Sequence, residues 1–170
     1  MPKIWIALFV MVPCLFAQGG ETNCQEVGGA ILTNFLPEHG TIILFPSGEQ
    51  VNFSSIALGS ATGDLRGGVI IYVLNMTSTT IQAQGNWVTE SGDTIYTTQA
   101  SATTSALIPG SAVSAAIYPA GLTVIGGTGR FAGAKGKINI LFGASDFAGF
   151  LNDGQFIFRY QGQICFAQSK

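Results

Sequence analysis

From about residue 40 onward, the chain is a succession of short runs rich in Thr, Ile, Val, Phe and Tyr, separated by clusters of Gly, Asn, Asp, Ser and Pro. β-Branched and aromatic residues suit a pleated, half-buried surface, and the separators supply turn conformations, so the pattern restricts the fold to strands joined by turns. Eight strands are expected, at about residues 41–46, 49–59, 65–76, 79–90, 93–104, 113–125, 130–143 and 154–167. No window sustains helical periodicity. The best helical candidate, Ala30 to Leu36, is short and flanked by Gly29 and Pro37.

Glu90-Ser91-Gly92-Asp93 and Leu151-Asn152-Asp153-Gly154 have the composition of hairpin turns. Strands so close in sequence pair antiparallel, and a series of them hides its edges by closing into a barrel. The expected fold is therefore all-β, a closed antiparallel barrel of about eight strands.

Alternation indicates the inner face. Phe156, Phe158, Tyr160, Ile164 and Phe166 share one face of the last run, while Gln155, Arg159, Gln161 and Gln163 share the other with Ile157 and Cys165. In the run before it, Ile138, Ile140 and Phe142 oppose Lys137 and Asn139; in 79–90, Ile81, Ala83 and Trp87 oppose Gln82, Gln84, Asn86 and Glu90. One apolar and one polar face per strand is what a barrel with an apolar lumen requires in water. Residues 65–76 are apolar on both faces around Val69 to Leu74, so an arm, a loop or a neighbouring subunit is expected to cover them.

The first residues read as a leader. Lys3 precedes an apolar run from Ile4 to Phe16, and Ala17 is a small residue before Gln18, the pattern of a cleaved secretory signal. The expected organisation is a signal over 1–17, an irregular Gly-rich N-terminal arm over 18–40 and the barrel over 41–170, with export to the extracellular space or periplasm. Cleavage would leave six basic and nine acidic residues, net −3, with no basic stripe. A nucleic-acid partner needs clustered Lys and Arg and is not expected. No later stretch is long and apolar enough to span a bilayer as a helix.

Cys14 leaves with the signal, and Cys24 and Cys165 remain near the two ends. In an oxidising compartment they read as a bridge; the alternative is a pair of buried free thiols. With one histidine, His39, and no ligand spacing, neither a metal nor a cofactor is expected.

The most informative stretch is Ile125-Gly126-Gly127-Thr128-Gly129-Arg130-Phe131-Ala132-Gly133-Ala134-Lys135-Gly136. It lacks the last glycine of GxGxxG, and no helix pattern follows to hold a phosphate. Gly126, Gly127, Gly129, Gly133 and Gly136 instead fit a structural corner, where strands bend and backbones approach closely. The stretch resembles the GGTGxFxGAxG segment of the allene oxide cyclase and dirigent barrel superfamily, including its secreted bacterial members. Ala61-Thr62-Gly63-Asp64-Leu65-Arg66-Gly67 is similar to a turn into an early strand of those barrels, and Gly85-Asn86-Trp87 through Ser91-Gly92-Asp93-Thr94 to their mid-barrel hairpin. The resemblance covers about residues 49–168 and implies a calycin-type barrel used as a shaped container. In that superfamily, cyclases isomerise an oxylipin epoxide and dirigent proteins hold phenoxy radicals for coupling of one handedness. The motif places no catalytic residue on this chain.

Among single residues, Tyr72, Trp87, Tyr96, Phe158 and Tyr160 are the candidate ligand-binding residues of the lumen: Tyr and Trp rings with one polar tip, beside the apolar Phe158, suit an apolar or phenolic molecule. The bland alternative is that they fill a packed core. His39 reads as a solvated loop residue, Asp64, Asp93 and Asp153 as turn residues, and Arg130 and Arg159 as side chains with packed stems and wet heads. Asn52 and Asn75 begin glycosylation sequons.

Two functions follow as expectations. One is a non-enzymatic secreted barrel that binds a small apolar or phenolic molecule or serves a structural role. The other, resting on the resemblance, is a cyclase or coupling-guide protein acting on an apolar substrate. A homodimer or homotrimer is the expected assembly.

Overall fold

In a computed structural model, the described residues are 23–43, 47–107, 113–117, 121–146 and 154–167. The expected signal, and Asp153 in the last hairpin turn, lie outside them.

The strands are β1 (Asn23–Leu36), β2 (Gly40–Ile43), β3 (Gln50–Phe53), β4 (Ser55–Ala61), β5 (Gly67–Met76), β6 (Thr80–Thr89), β7 (Thr94–Thr97), β8 (Ala100–Ala106), β9 (Val113–Ile117), β10 (Leu122–Gly127), β11 (Lys135–Asp146) and β12 (Gln155–Phe166). The ring runs β1, β4, β5, β6, β7, β10, β11, β12 and back to β1, and every pairing is antiparallel. β6 pairs with β7 at Asn86↔Tyr96 and with β8 at Ala83↔Ala100, so β7 and β8 form one stave with a one-residue slip between them. β9 and β10 likewise share β11 as neighbour and form another. Eight staves thus close the barrel, and the β2–β3 hairpin lies outside it.

Two expectations about boundaries need correction. Residues 23–36, read as part of an arm with a short helical candidate, are the stave β1, which pairs with β12 along twelve register positions. Its inward set is Val27, Gly29, Ile31, Thr33 and Phe35. A glycine and a threonine on the buried face and Leu32 on the outer one obscure the alternation in the sequence. Residues 41–46, read as the first stave, contribute β2 to the outer hairpin instead, and the run 49–59 divides into β3 and β4. Among the described residues the barrel therefore starts at Asn23, and not at residue 41.

That hairpin supplies part of the cover expected over residues 69–74, at Tyr72. Phe53 meets the Tyr72 ring edge-on at 5.4 Å between centroids. Ile56, outward in register between Leu36 and Tyr72, is buried. Leu58 and Ile70, the next outward pair, are left uncovered by comparison, and Leu58 is exposed.

The lumen is the hydrophobic core. Phe156, Phe158, Tyr160 and Ile164 point inward from β12 as the alternation predicts, and Ile81, Ala83 and Trp87 do so from β6. Phe35, Phe156 and Phe158 form an aromatic stack, with centroids 4.0 and 5.1 Å apart along it.

One end of the barrel is closed by two related plugs. Thr62-Gly63-Asp64-Leu65 leads from β4 to β5, and Thr128-Gly129-Arg130-Phe131 leads from β10 to β11, four staves further round the ring. Each has an extended Thr, a glycine with φ of +78° or +53° and a single 3-10 turn that buries its last residue, Leu65 or Phe131. Each Thr fastens its plug in the same way. The Thr62 N–H donates to the Ala30 carbonyl (2.8 Å), while the Ala30 N–H donates to Thr62 Oγ1 (3.2 Å). The Thr128 N–H donates to the Thr94 carbonyl (3.1 Å), while the Thr94 N–H donates to Thr128 Oγ1 (2.9 Å). The expected glycine corner is therefore half of a repeated device. Gly126 and Gly127 end β10, Gly129 opens the turn, Gly133 follows it with φ +70°, and Gly136 lies in β11.

Candidate functional site

The lumen is where the sequence places a ligand, and the structure sorts the five aromatic candidates. Trp87 (β6), Phe158 and Tyr160 (β12) point inward and are buried. Tyr72 and Tyr96 do not join them. Tyr72 pairs with Gln84 and Tyr96 with Asn86, and both pairs lie on the outer face, alternating with the inward positions Val69, Ile71, Ala83, Trp87 and Ile95. Tyr72 lies in a continuously apolar strand, which gives no alternation from which to read its side.

Inside, the described side chains leave little space around Trp87. The cavity between Trp87, Phe158, Ile31, Ile71, Leu122 and Ile140 is about 20 Å³. Among the described inward residues Tyr160 is the one with an ionisable side chain, and its hydroxyl is already engaged: it donates to the Thr62 carbonyl (2.7 Å) and accepts from the Leu65 N–H (3.2 Å). Burial pushes the Tyr160 phenol up from its ordinary pKa. The Leu65 N–H opposes that shift, and the Asp64 charge adds to it. Three inward polar atoms lack partners among the described residues: the Trp87 Nε1–H in the cavity wall, and Thr33 Oγ1 and Ser55 Oγ further along.

The groups that could do acid–base or nucleophilic work lie elsewhere. His39 is exposed in the link between β1 and β2. Asp64 accepts from the Gly28 N–H at 2.8 Å, and Asp93 accepts from the Ser91 hydroxyl at 2.9 Å, both as turn residues. The Arg130 guanidinium lies 4.6 Å from the centroid of the Phe131 ring, so it stacks on the plug. Arg159 points outward from β12 and is exposed. Among the described residues, no group of three or more His, Cys, Asp or Glu side chains could hold a metal ion.

Cys24 and Cys165 face each other across β1 and β12 and are joined by a disulfide, which fastens the seam where the first and last staves meet. No helix among the described residues is long and apolar enough to cross a membrane.

Fold and lumen together define a closed antiparallel barrel with a disulfide at its seam. Scans against protein-family models, and searches of curated proteins and of solved structures, return no match to this chain.

Proposed function

We propose that this chain is a non-enzymatic, secreted barrel whose interior serves the fold, so that recognition takes place on the outer wall. The observation that carries the proposal is the size of the lumen cavity, about 20 Å³. Small-molecule sites run from about 300 to 1,000 Å³, and an oxylipin or a phenol pair needs space of that order. A cyclase or coupling-guide reading, which the resemblance to the allene oxide cyclase and dirigent superfamily suggests, also needs polar groups around a void. Here the one inward phenol is committed to two backbone partners. Secretion is supported by the leader-like first 17 residues and by the disulfide.

Native mass spectrometry of the exported protein tests this. The expected spectrum is a whole-number multiple of the chain mass without residues 1–17, less two hydrogens per chain, with no adduct. A stoichiometric co-purifying apolar or phenolic molecule would overturn the proposal. It would favour the second reading, a lumen binder whose ligand accepts a hydrogen bond from the unpartnered Trp87 Nε1–H.

The assembly proposed with it is a homodimer or homotrimer. Leu32 and Ile157 are exposed and directly opposite in register, and Ala144 follows on β11, so one apolar strip crosses three adjacent staves. Contiguous exposed apolar area of this kind marks association surfaces. Light scattering should give a multiple of the chain mass that falls to the monomer in Leu32→Asp. A monomer at working concentration rejects the assembly.

A further inference from the structure

We propose that the outer wall carries a groove for a neutral, polyhydroxylated ligand of the oligosaccharide class. This goes beyond the reading of the lumen and does not depend on it.

The groove arises because β4 ends early. Its last pairing with β1 is Ile31↔Ala61, and beyond that point the 3-10 turn Gly63–Leu65 takes the place of a neighbouring strand. Gly28 and Gly29 then leave a stretch of β1 with no side chain on its outer face at Gly28. The resulting groove holds about 310 Å³ and is lined by Glu26, Asp64, Arg159, Gln161 and Leu141 over the Gly28 backbone. That is the lower end of the range for small-molecule sites.

Its polar groups are mixed in kind, and two of them are held in place. The Asp64 carboxylate is fixed by the Gly28 N–H, and Glu26 accepts from Gln163 Nε2 at 2.9 Å. Arg159 makes no ion pair among the described residues. The register shift in β11 between Ile140 and Phe142 turns Leu141 outward, where it is 58% exposed.

Charge decides the ligand class. An anion would meet two carboxylates, and a cation would meet the Arg159 guanidinium. A sugar hydroxyl both donates and accepts, so it can use Asp64, Glu26, Arg159 and the two-sided Gln161 amide together, at the cost of burying no unpaired charge. Leu141 offers an apolar surface to the C–H face of a ring.

The test is a ¹⁵N NMR titration of the exported, oxidised protein. The probes are cellotetraose, maltotetraose and N-acetylchitotetraose at millimolar concentration, with orthophosphate and spermine as the anionic and cationic arms. The expected result is saturable shifts of the Gly28, Gly29 and Gln161 amides with at least one tetrasaccharide and with neither ion. Gly28→Gln should weaken that binding at least tenfold without loss of fold, because a Cβ at Gly28 meets nothing closer than the Tyr160 carbonyl at 3.5 Å. Arg159→Ala, at an exposed site, should weaken it similarly and guards against a folding defect in the first variant. No shift with any of the three sugars overturns the proposal. So does binding of phosphate or spermine at those amides, or full affinity in both variants.

Discussion

The Tyr160 hydroxyl donates to the Thr62 carbonyl across 98 residues of sequence, tying the last stave to the plug between β4 and β5. The same oxygen accepts from the Leu65 N–H. Tyr160→Phe keeps the ring and leaves both backbone groups short of a partner. It should cost about 1–3 kcal/mol, the penalty for stranding buried polar groups. The loss should appear in denaturant midpoints, with the far-UV spectrum unchanged. A variant as stable as the parent would show that water replaces the hydroxyl freely.

The same phenol gives a pH dependence of known sign. Burial raises the pKa of Tyr160, and of Tyr72 under the outer hairpin, above the ordinary value of 10.0. The unfolded chain therefore releases those protons first. Stability should hold below about pH 10 and fall as pH rises beyond it, through the raised folded values. Tyr160→Phe should flatten part of that alkaline slope in melting curves recorded between pH 8 and 11. An unchanged slope would place the titration elsewhere.

Gly129 is held in the left-handed region at φ +53°, and a Cβ there would collide with the Asp93 carboxylate. Gly129→Val should therefore destabilise by about 1–3 kcal/mol from backbone strain alone, with the collision added. Gly63, its counterpart in the other plug, has φ +78° and a carbonyl, Gly28 O, in the way. Gly63→Val should behave alike, which thermal unfolding of the two variants side by side would check. Normal melting with loss of anionic-ligand binding would instead make the Gly129 turn a phosphate loop.

The disulfide joins residues 141 apart in sequence. In the entropic account, closing so long a loop contributes roughly 4–5 kcal/mol by restricting the unfolded chain. In protein lacking residues 1–17, a thiol reagent should label no cysteine before reduction and two after it, and reduction should lower the melting temperature. The β1–β12 pairing continues for ten positions beyond the bridge, so the far-UV spectrum of the reduced protein should stay that of a barrel at 25 °C. Labelling before reduction would reject the bridge.

Much of this barrel was legible where side chains alternate cleanly. In β12 Phe156, Phe158, Tyr160 and Ile164 alternate with outward Gln155, Arg159, Gln161 and Gln163, broken on the outside by Ile157 and Cys165, and β6 alternates from Ile81 to Trp87, so Trp87, Phe158 and Tyr160 read as inward from sequence. β1 was not legible, because Gly28 and Gly29 look like loop and Leu32 breaks the pattern from outside. Tyr72 reads as inward because it falls on an apolar strand face, and Tyr96 on residue type, although register, set by long-range pairing, turns both outward. The groove at Gly28 has no sequence signature. It depends on where β4 stops relative to β1, and its charged residues come from three separate stretches of chain.

Gly85 offers a test of how completely the lumen is packed. It lies on the inward face of β6, in the wall of the small cavity beside Trp87. Its φ lies outside the left-handed region, and a Cβ there would meet the Trp87 ring at 3.4 and 3.6 Å and Thr97 Oγ1 at 4.0 Å, ordinary van der Waals contacts. Gly85→Ala should therefore add contacts in the cavity and remove backbone freedom from the unfolded chain. The expected stabilisation is about 0.4–1 kcal/mol. The reverse experiment, Trp87→Ala, should enlarge the cavity and cost about 3–5 kcal/mol. Denaturant titrations of both variants give the comparison. A destabilised Gly85→Ala would mean that the space beside Trp87 is already occupied, by a bound molecule on the Nε1–H that the filled-lumen reading leaves without a partner.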